Sequence, residues 1–152
     1  MKNKLHDLLP LCLLLTGFFF ISPECLAQPL SVSENGHFLA TPAGQPFFWL
    51  GDTGWELFHR LDREEVTDYM DIRKEQGFNV IQAVALYELE AFETPNAYSD
   101  FPLTNKDITR PARTPGNHPM DPEAYDYWDH VIFTVEEAAK RDLILGLLPC
   151  WG

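Results

Sequence analysis

Apolar residues in this chain come first as one unbroken block, then as short runs alternating with helically spaced positions. Leu8 to Ile21 is almost wholly apolar and follows the basic start Met1-Lys2-Asn3-Lys4. Ser22-Pro23-Glu24-Cys25-Leu26-Ala27 comes next, with small residues at the two positions a signal peptidase reads, Cys25 and Ala27. Residues 1–27 therefore read as a secretory signal peptide cleaved near Ala27. A membrane span needs roughly 20 apolar residues, more than this block offers. Ser-Pro-Glu ahead of Cys25 is a poor lipoprotein signal.

Beyond Ala27 the pattern changes to alternation. Leu30-Ser31-Val32 and His37-Phe38-Leu39 flank Ser33-Glu34-Asn35-Gly36, and Asn-Gly between alternating segments predicts a β-hairpin over residues 28–46. Phe47-Phe48-Trp49-Leu50, closed by Gly51, reads as a strand covered on both faces. Asp62-Arg63-Glu64-Glu65 has the form of a capping box. It opens a helix with Val66, Tyr69, Met70 and Ile72 on its apolar face and Gly77 at its end. Phe78 to Val84 predicts a second buried strand. Asp126 or Asp121 caps a second helix, whose predicted face is Trp128, Val131, Ile132, Val135 and Ala139. Leu143 to Leu148 is the third strand, followed by Pro149-Cys150-Trp151-Gly152.

Buried strands alternating with amphipathic helices call for a parallel sheet in an α/β fold. The connection from Ala85 to Asp121 exceeds an ordinary loop, and such long loops are usually functional or disordered. Three parallel strands and two helices are poor material for a closed core, so the chain reads as the front of a longer protein. A barrel of eight such units needs ~250 residues.

The net charge is −12 and is unchanged by removing residues 1–27, which carry Lys2, Lys4, Asp7 and Glu24. An acidic surface argues against nucleic acid and anionic lipid as partners, both of which require a basic patch. It is compatible with neutral ligands such as sugars. Cys150 is the one cysteine after the signal, so no internal disulfide can form. No His/Cys spacing suits zinc, and no metal or cofactor is expected.

In both common α/β architectures, sites form where parallel strands end at their carboxyl side. The first such end supplies Asp52, Thr53 and Trp55, with His59 beyond. The second supplies Gln82, then Tyr87, Glu88 and Glu90, and the third Cys150 and Trp151. Aromatic faces stack on the apolar side of a sugar ring while carboxylates and amides take its hydroxyls. Each residue also has a purely structural reading. Asp52 could be an Asx-turn cap, Trp55 and Phe58 packing at the sheet end, His59 a capped surface histidine, and Glu88 and Glu90 solvated charges. Gln82, an amide in an apolar strand, must find a hydrogen bond somewhere.

The segments NGHFLATPAGQPFFWLGDTGWELFHRLDREE, QGFNVIQAVAL, TPNAYSDFPL and YWDHV through GLLPCWG resemble the start of the apiosidase-like glycoside hydrolases. Many bacterial members of that family are labelled domain of unknown function 4038, and characterised members form glycoside hydrolase family 140. The resemblance covers nearly all of Leu30 to Gly152. It implies the N-terminal part of a (β/α)8 TIM barrel preceded by a β-hairpin, with residues 47–152 ending after about three barrel strands. It also implies release of apiose from side chains of the pectin rhamnogalacturonan II by an Asp and Glu pair. The family's catalytic carboxylates lie on later strands, so none is expected before Gly152. The matching positions are Gly51-Asp52-Thr53 with Trp55, Asn79 to Gln82, Pro95-Asn96-Ala97-Tyr98, and Pro149 with Trp151-Gly152. By resemblance they would shape a sugar-binding rim. Asp52, Trp55, Gln82, Glu88, Asn96, Tyr98 and Trp151 are the expected substrate contacts, and the partner a plant cell-wall oligosaccharide or polysaccharide. Cys150 stands where that family would be expected to carry threonine. Three other readings are a sugar-binding barrel without catalytic acids, a glycosidase of other pentoside specificity, and a secreted structural or adhesion module, although nothing in the sequence has collagen-like or repeat character.

Overall fold

In the computed structural model, residues 30–86 and 92–151 are described. The signal-peptide segment, Tyr87, Glu88, Glu90 and Gly152 lie outside the described residues. Strand β1 (Ser31–Val32) pairs antiparallel with β2 (Leu39–Ala40), Ser31 opposite Ala40. Gly36 takes φ +72° in the turn, the left-handed conformation that the Asn-Gly signal anticipates. The Asn35 side chain accepts from the Ser33 hydroxyl at 2.8 Å and so fixes the turn.

The expected first parallel strand differs from its prediction. The apolar run Phe47–Leu50 is not a strand; β3 is the shorter Gly51–Thr53. Phe48 is 78% exposed, and among the described residues β3 has β4 as its one sheet neighbour. What anchors the run is Asn79. Its Nδ2 donates to the Phe48 carbonyl at 2.6 Å, and its Oδ1 accepts from the Leu50 amide at 2.9 Å. Asn79 therefore works at the amino end of the next strand, away from the rim where the resemblance would place it. Asn79→Ala leaves an N–H and a C=O without partners, and an equilibrium denaturation curve should show a loss of about 1–2 kcal/mol.

Helix α1 (Leu57–Arg60), which the apolar pattern did not announce, is a single turn that buries Leu57, Phe58 and His59. Helix α2 (Arg63–Glu75) follows with the expected cap: Asp62 accepts from the Glu65 amide while Glu65 accepts from the Asp62 amide. Val66 and Met70 are its buried face. Strand β4 (Val80–Leu86) then enters the centre of a parallel sheet, between β3 and β5 (Ile144–Cys150).

The long connection is built rather than loose in its described part. Ala112 N–H bonds the Pro102 carbonyl at 3.0 Å, Thr104 N–H bonds Arg110 at 2.9 Å, and the Trp128 indole donates to Pro102 at 2.9 Å. Helix α3 (Tyr127–Lys140) is capped by Asp126 rather than Asp121, and Asp129 closes a second capping box. Its buried face is rotated from the expected one. Tyr127, His130, Val131, Phe133, Thr134, Glu137 and Ala138 are inside, while Ile132 and Val135 are exposed. The hydrophobic period misleads because the inner stripe includes polar residues that find partners. His130 Nε2 meets the Leu61 carbonyl at 2.9 Å, Thr134 bonds the His130 carbonyl, and Glu137 pairs with Arg141 at 2.6 Å. Strand β5 (Ile144–Cys150) completes the sheet.

Alternation along the strands sorts the side chains. Ile81 and Ala83 join Val66, Met70, Tyr127, Val131 and Ala138 in the core between sheet and helices. Gly51, Val80 and Gly146 share the other face, over which the Trp49 indole lies. A Cβ on Gly51 would stand 2.9 Å from Trp49 Nε1. Among the described residues the sheet has three strands and does not close.

Candidate sugar-binding rim

Asp52 is the first residue to place, and its position decides how the Gly51-Asp52-Thr53-Gly54 motif works. It is registered opposite Ile81, on the helix side of the sheet. Its Oδ2 accepts from the Tyr69 hydroxyl at 2.8 Å and is paired with Arg73 Nε, both from α2. Burial pushes the Asp52 carboxyl up. The hydrogen bonds from Tyr69, Arg73 and the Thr53 amide outweigh it and leave the group below its ordinary range. Burial together with Asp52 pushes the Tyr69 phenol up to about 12. Gly54 gives this phenol room, since a Cβ there would lie 3.1 Å from the Tyr69 oxygen. Asp52 thus fastens the first strand end to α2 and is directed away from the rim face. Tyr69 and Arg73 were not read as its partners, although their i, i+4 spacing puts them on one side of a helix.

Thr53 and Gln82 are register partners, as are Gln82 and Gly146, and Leu86 and Cys150. They share the face opposite the helices. Gln82 is the third of seven residues in β4, so it lies below that strand's carboxyl end and level with the end of β3. The structure brings two expected contacts together across the end of the sheet. Trp55, just past β3, and Trp151, just past β5, meet edge to face with centroids 4.9 Å apart and planes at 76°. Trp151 remains 49% exposed. Two indoles that follow the strands on either side of β4 therefore meet across the end of the sheet, one of them half exposed. Trp151→Ala should cost about 0.5–1.5 kcal/mol of stability, the worth of its edge-to-face pair with Trp55. It should also weaken binding of a neutral oligosaccharide about ten- to thirtyfold by titration calorimetry, the loss of roughly 1.4–2 kcal/mol of stacking.

The other expected contacts are held elsewhere. Asn96 is 5% exposed; its Oδ1 accepts from the Tyr98 and Asp100 amides, both at 2.9 Å, while its Nδ2 meets no partner. Tyr98 OH accepts from the Arg63 amide at 2.9 Å, supplying a partner for one of the free N–H groups at the start of α2. Its ring meets Tyr125 edge to face at 5.1 Å. Glu88 lies outside the described residues. His59 is buried rather than surface-capped. Tyr127 OH donates to the Ala85 carbonyl at 2.5 Å and stands 3.3 Å from His59 Nδ1. Burial pushes the His59 imidazole down, more than Glu56 raises it.

The rim face can hold a neutral polyol: indole faces for its C–H side, a hydroxyl and an amide for its oxygens. Asp52 is the one carboxylate within β3, β4 and β5, and it faces α2. Among the described residues no group of three or more His, Cys, Asp or Glu could hold a metal ion.

Residues 33–152 match the family described as Apiosidase-like, catalytic domain. A solved structure titled a glycoside hydrolase family 5 protein from Bacteroides vulgatus is 35% identical with a TM-score of 0.66. The match covers 83% of this chain and 25% of that one. A second solved structure, titled glycoside hydrolase, is 36% identical with a TM-score of 0.65, over 83% of this chain and 26% of that one. The chain spans about a quarter of the length of each solved structure. Comparison with curated proteins returns no match.

Proposed function

Since this chain belongs to the family of apiosidase-like catalytic domains, we infer that the protein is an exported glycoside hydrolase acting on plant cell-wall polysaccharide. The sugar it releases is apiose from rhamnogalacturonan II side chains. The observation that carries this reading is the Trp55–Trp151 pair, set at the carboxyl end of a parallel sheet with one indole half exposed. That is where α/β proteins bind ligands. A glycosidase needs two carboxylates flanking the scissile bond. Asp52 is committed to α2, so neither is Asp52; in the family they come from later strands.

Protein expressed from the full reading frame is expected to release free apiose from rhamnogalacturonan II, detected by anion-exchange chromatography. Release of a different pentose would reassign the specificity. Binding of the polymer without any released sugar would make the protein a non-catalytic sugar-binding barrel.

Export is read from the pattern of residues 1–27. A reporter fused after Gln28 should leave the cytoplasm and be cut near Ala27, as N-terminal sequencing of the secreted product would show. An uncut reporter retained inside the cell would remove export from the proposal.

A further inference from the structure

The described part of the connection between β4 and α3 encloses a second concavity, apart from the indole pair. It is a pocket of about 290 Å³ lined by Tyr98, Asp100, Pro119, Met120, Pro122 and Tyr125.

 That is room for about one sugar ring rather than an extended chain.

Its walls are fixed before any ligand arrives. Tyr98 is held by its hydroxyl on the Arg63 amide and by its ring against Tyr125, 5.1 Å away. Asn96 Oδ1 holds the Tyr98 and Asp100 amides, and the other wall is turned by hydrogen bonds from His118 to Ala124 and from Asp121 to His118. Two polar groups of this preformed loop have no protein partner among the described residues. One is the Asn96 Nδ2 amide, a buried donor. The other is the Asp100 carboxylate, an acceptor whose own backbone amide and carbonyl are both used within the loop. Partial burial, with Asp126 and Asp129 adding to it, pushes the Asp100 carboxyl up. An aromatic and proline wall beside a half-buried carboxylate that no protein donor among the described residues occupies is the chemistry that holds a neutral sugar.

We propose that this pocket is a subsite for a second, neutral sugar residue of the glycan, with Asp100 accepting from its hydroxyls and Tyr98, Pro122 and Met120 forming the apolar wall. The proposal rests on the glycosidase reading for the identity of the glycan. With Asp100 a carboxylate and the chain at −12 overall, a uronic acid is disfavoured there.

The test uses protein from the full reading frame with Asp100→Ala, Asp100→Asn and the exposed-wall variant Met120→Ala. Kinetics are read on a neutral oligosaccharide and on an aryl glycoside that occupies the cleavage position alone, and oligosaccharide affinity is measured separately by calorimetry. Asp100→Ala should raise KM for the oligosaccharide about tenfold at unchanged kcat, leave the aryl glycoside untouched, and weaken calorimetric binding by the same factor. Asp100→Asn, which keeps an acceptor oxygen, should recover part of the loss, and Met120→Ala should show a smaller loss of the same kind. Equal oligosaccharide binding in Asp100→Ala, Met120→Ala and the parent protein would overturn the subsite, whatever the activity. If the parent protein hydrolyses neither compound but loses oligosaccharide binding on Asp100→Ala, the subsite stands and the glycosidase reading fails.

Discussion

Asp52→Ala is expected to destabilise the folded protein by about 2–3 kcal/mol, below the roughly 3–5 kcal/mol for breaking a fully buried ion pair. The pair is about three-quarters buried, with side-chain exposures of 29% for Arg73 and 26% for Asp52, so solvent screening takes some of its strength. The variant would strand the Tyr69 hydroxyl and the Arg73 guanidinium between β3 and α2. Asp52→Asn keeps an acceptor for Tyr69 and should lose less, about 1–2 kcal/mol. An Asx-turn reading predicts no loss for Asn, and a rim-contact reading predicts lost activity at unchanged stability. Urea denaturation of Asp52→Ala, Tyr69→Phe and the double variant separates them. A coupling energy near zero would mean that the Asp52–Tyr69 bond contributes nothing. The pH dependence has a definite sign. The folded carboxyl titrates below its ordinary 3.8, so its contribution is fully present above pH 3.8 and is lost as the pH falls through the lower folded value.

The second large effect comes from His130. It is fully buried, with Nε2 2.9 Å from the Leu61 carbonyl and Nδ1 3.3 Å from the Tyr125 hydroxyl. A carbonyl can only accept, so Nε2 carries the proton and Nδ1 accepts from Tyr125. Burial pushes the imidazole down to about 4; the Leu61 carbonyl and Asp62 oppose this and Arg63 adds to it. A histidine depressed in the folded state contributes stability that is present above its ordinary 6.5 and is lost as the pH falls toward 4. The loss across that window should approach about 3 kcal/mol. His59 is depressed as well and acts in the same direction. His130→Gln should flatten the slope of stability between pH 6.5 and 4 even if it is less stable at neutral pH. An unchanged slope would place the acid sensitivity elsewhere.

The sequence by itself determined the elements whose signals are local. The Asp62 capping box, the Gly77 helix end and the Asn35-Gly36 turn depend on residues within a few positions of one another, and each appears in the structure; between Asp126 and Asp121 as the cap of α3, the structure chose Asp126. The order of alternating strands and helices likewise determined the parallel sheet, because buried strands joined by helices have few other ways to cover both faces. Facing was decided only by tertiary structure. Asp52 and Trp55 are three residues apart in one motif, yet Asp52 turns to α2 while Trp55 meets Trp151, 96 positions on and just past β5. Hydrophobic spacing put Ile132 and Val135 inside α3, but the inner face went to His130, Thr134 and Glu137 because Leu61 and Arg141 supply their partners. A pattern of apolar positions records which residues avoid water. It does not record which polar groups will find each other across the fold, and that pairing decided the direction of Asp52, the burial of His130 and the anchoring of Tyr98.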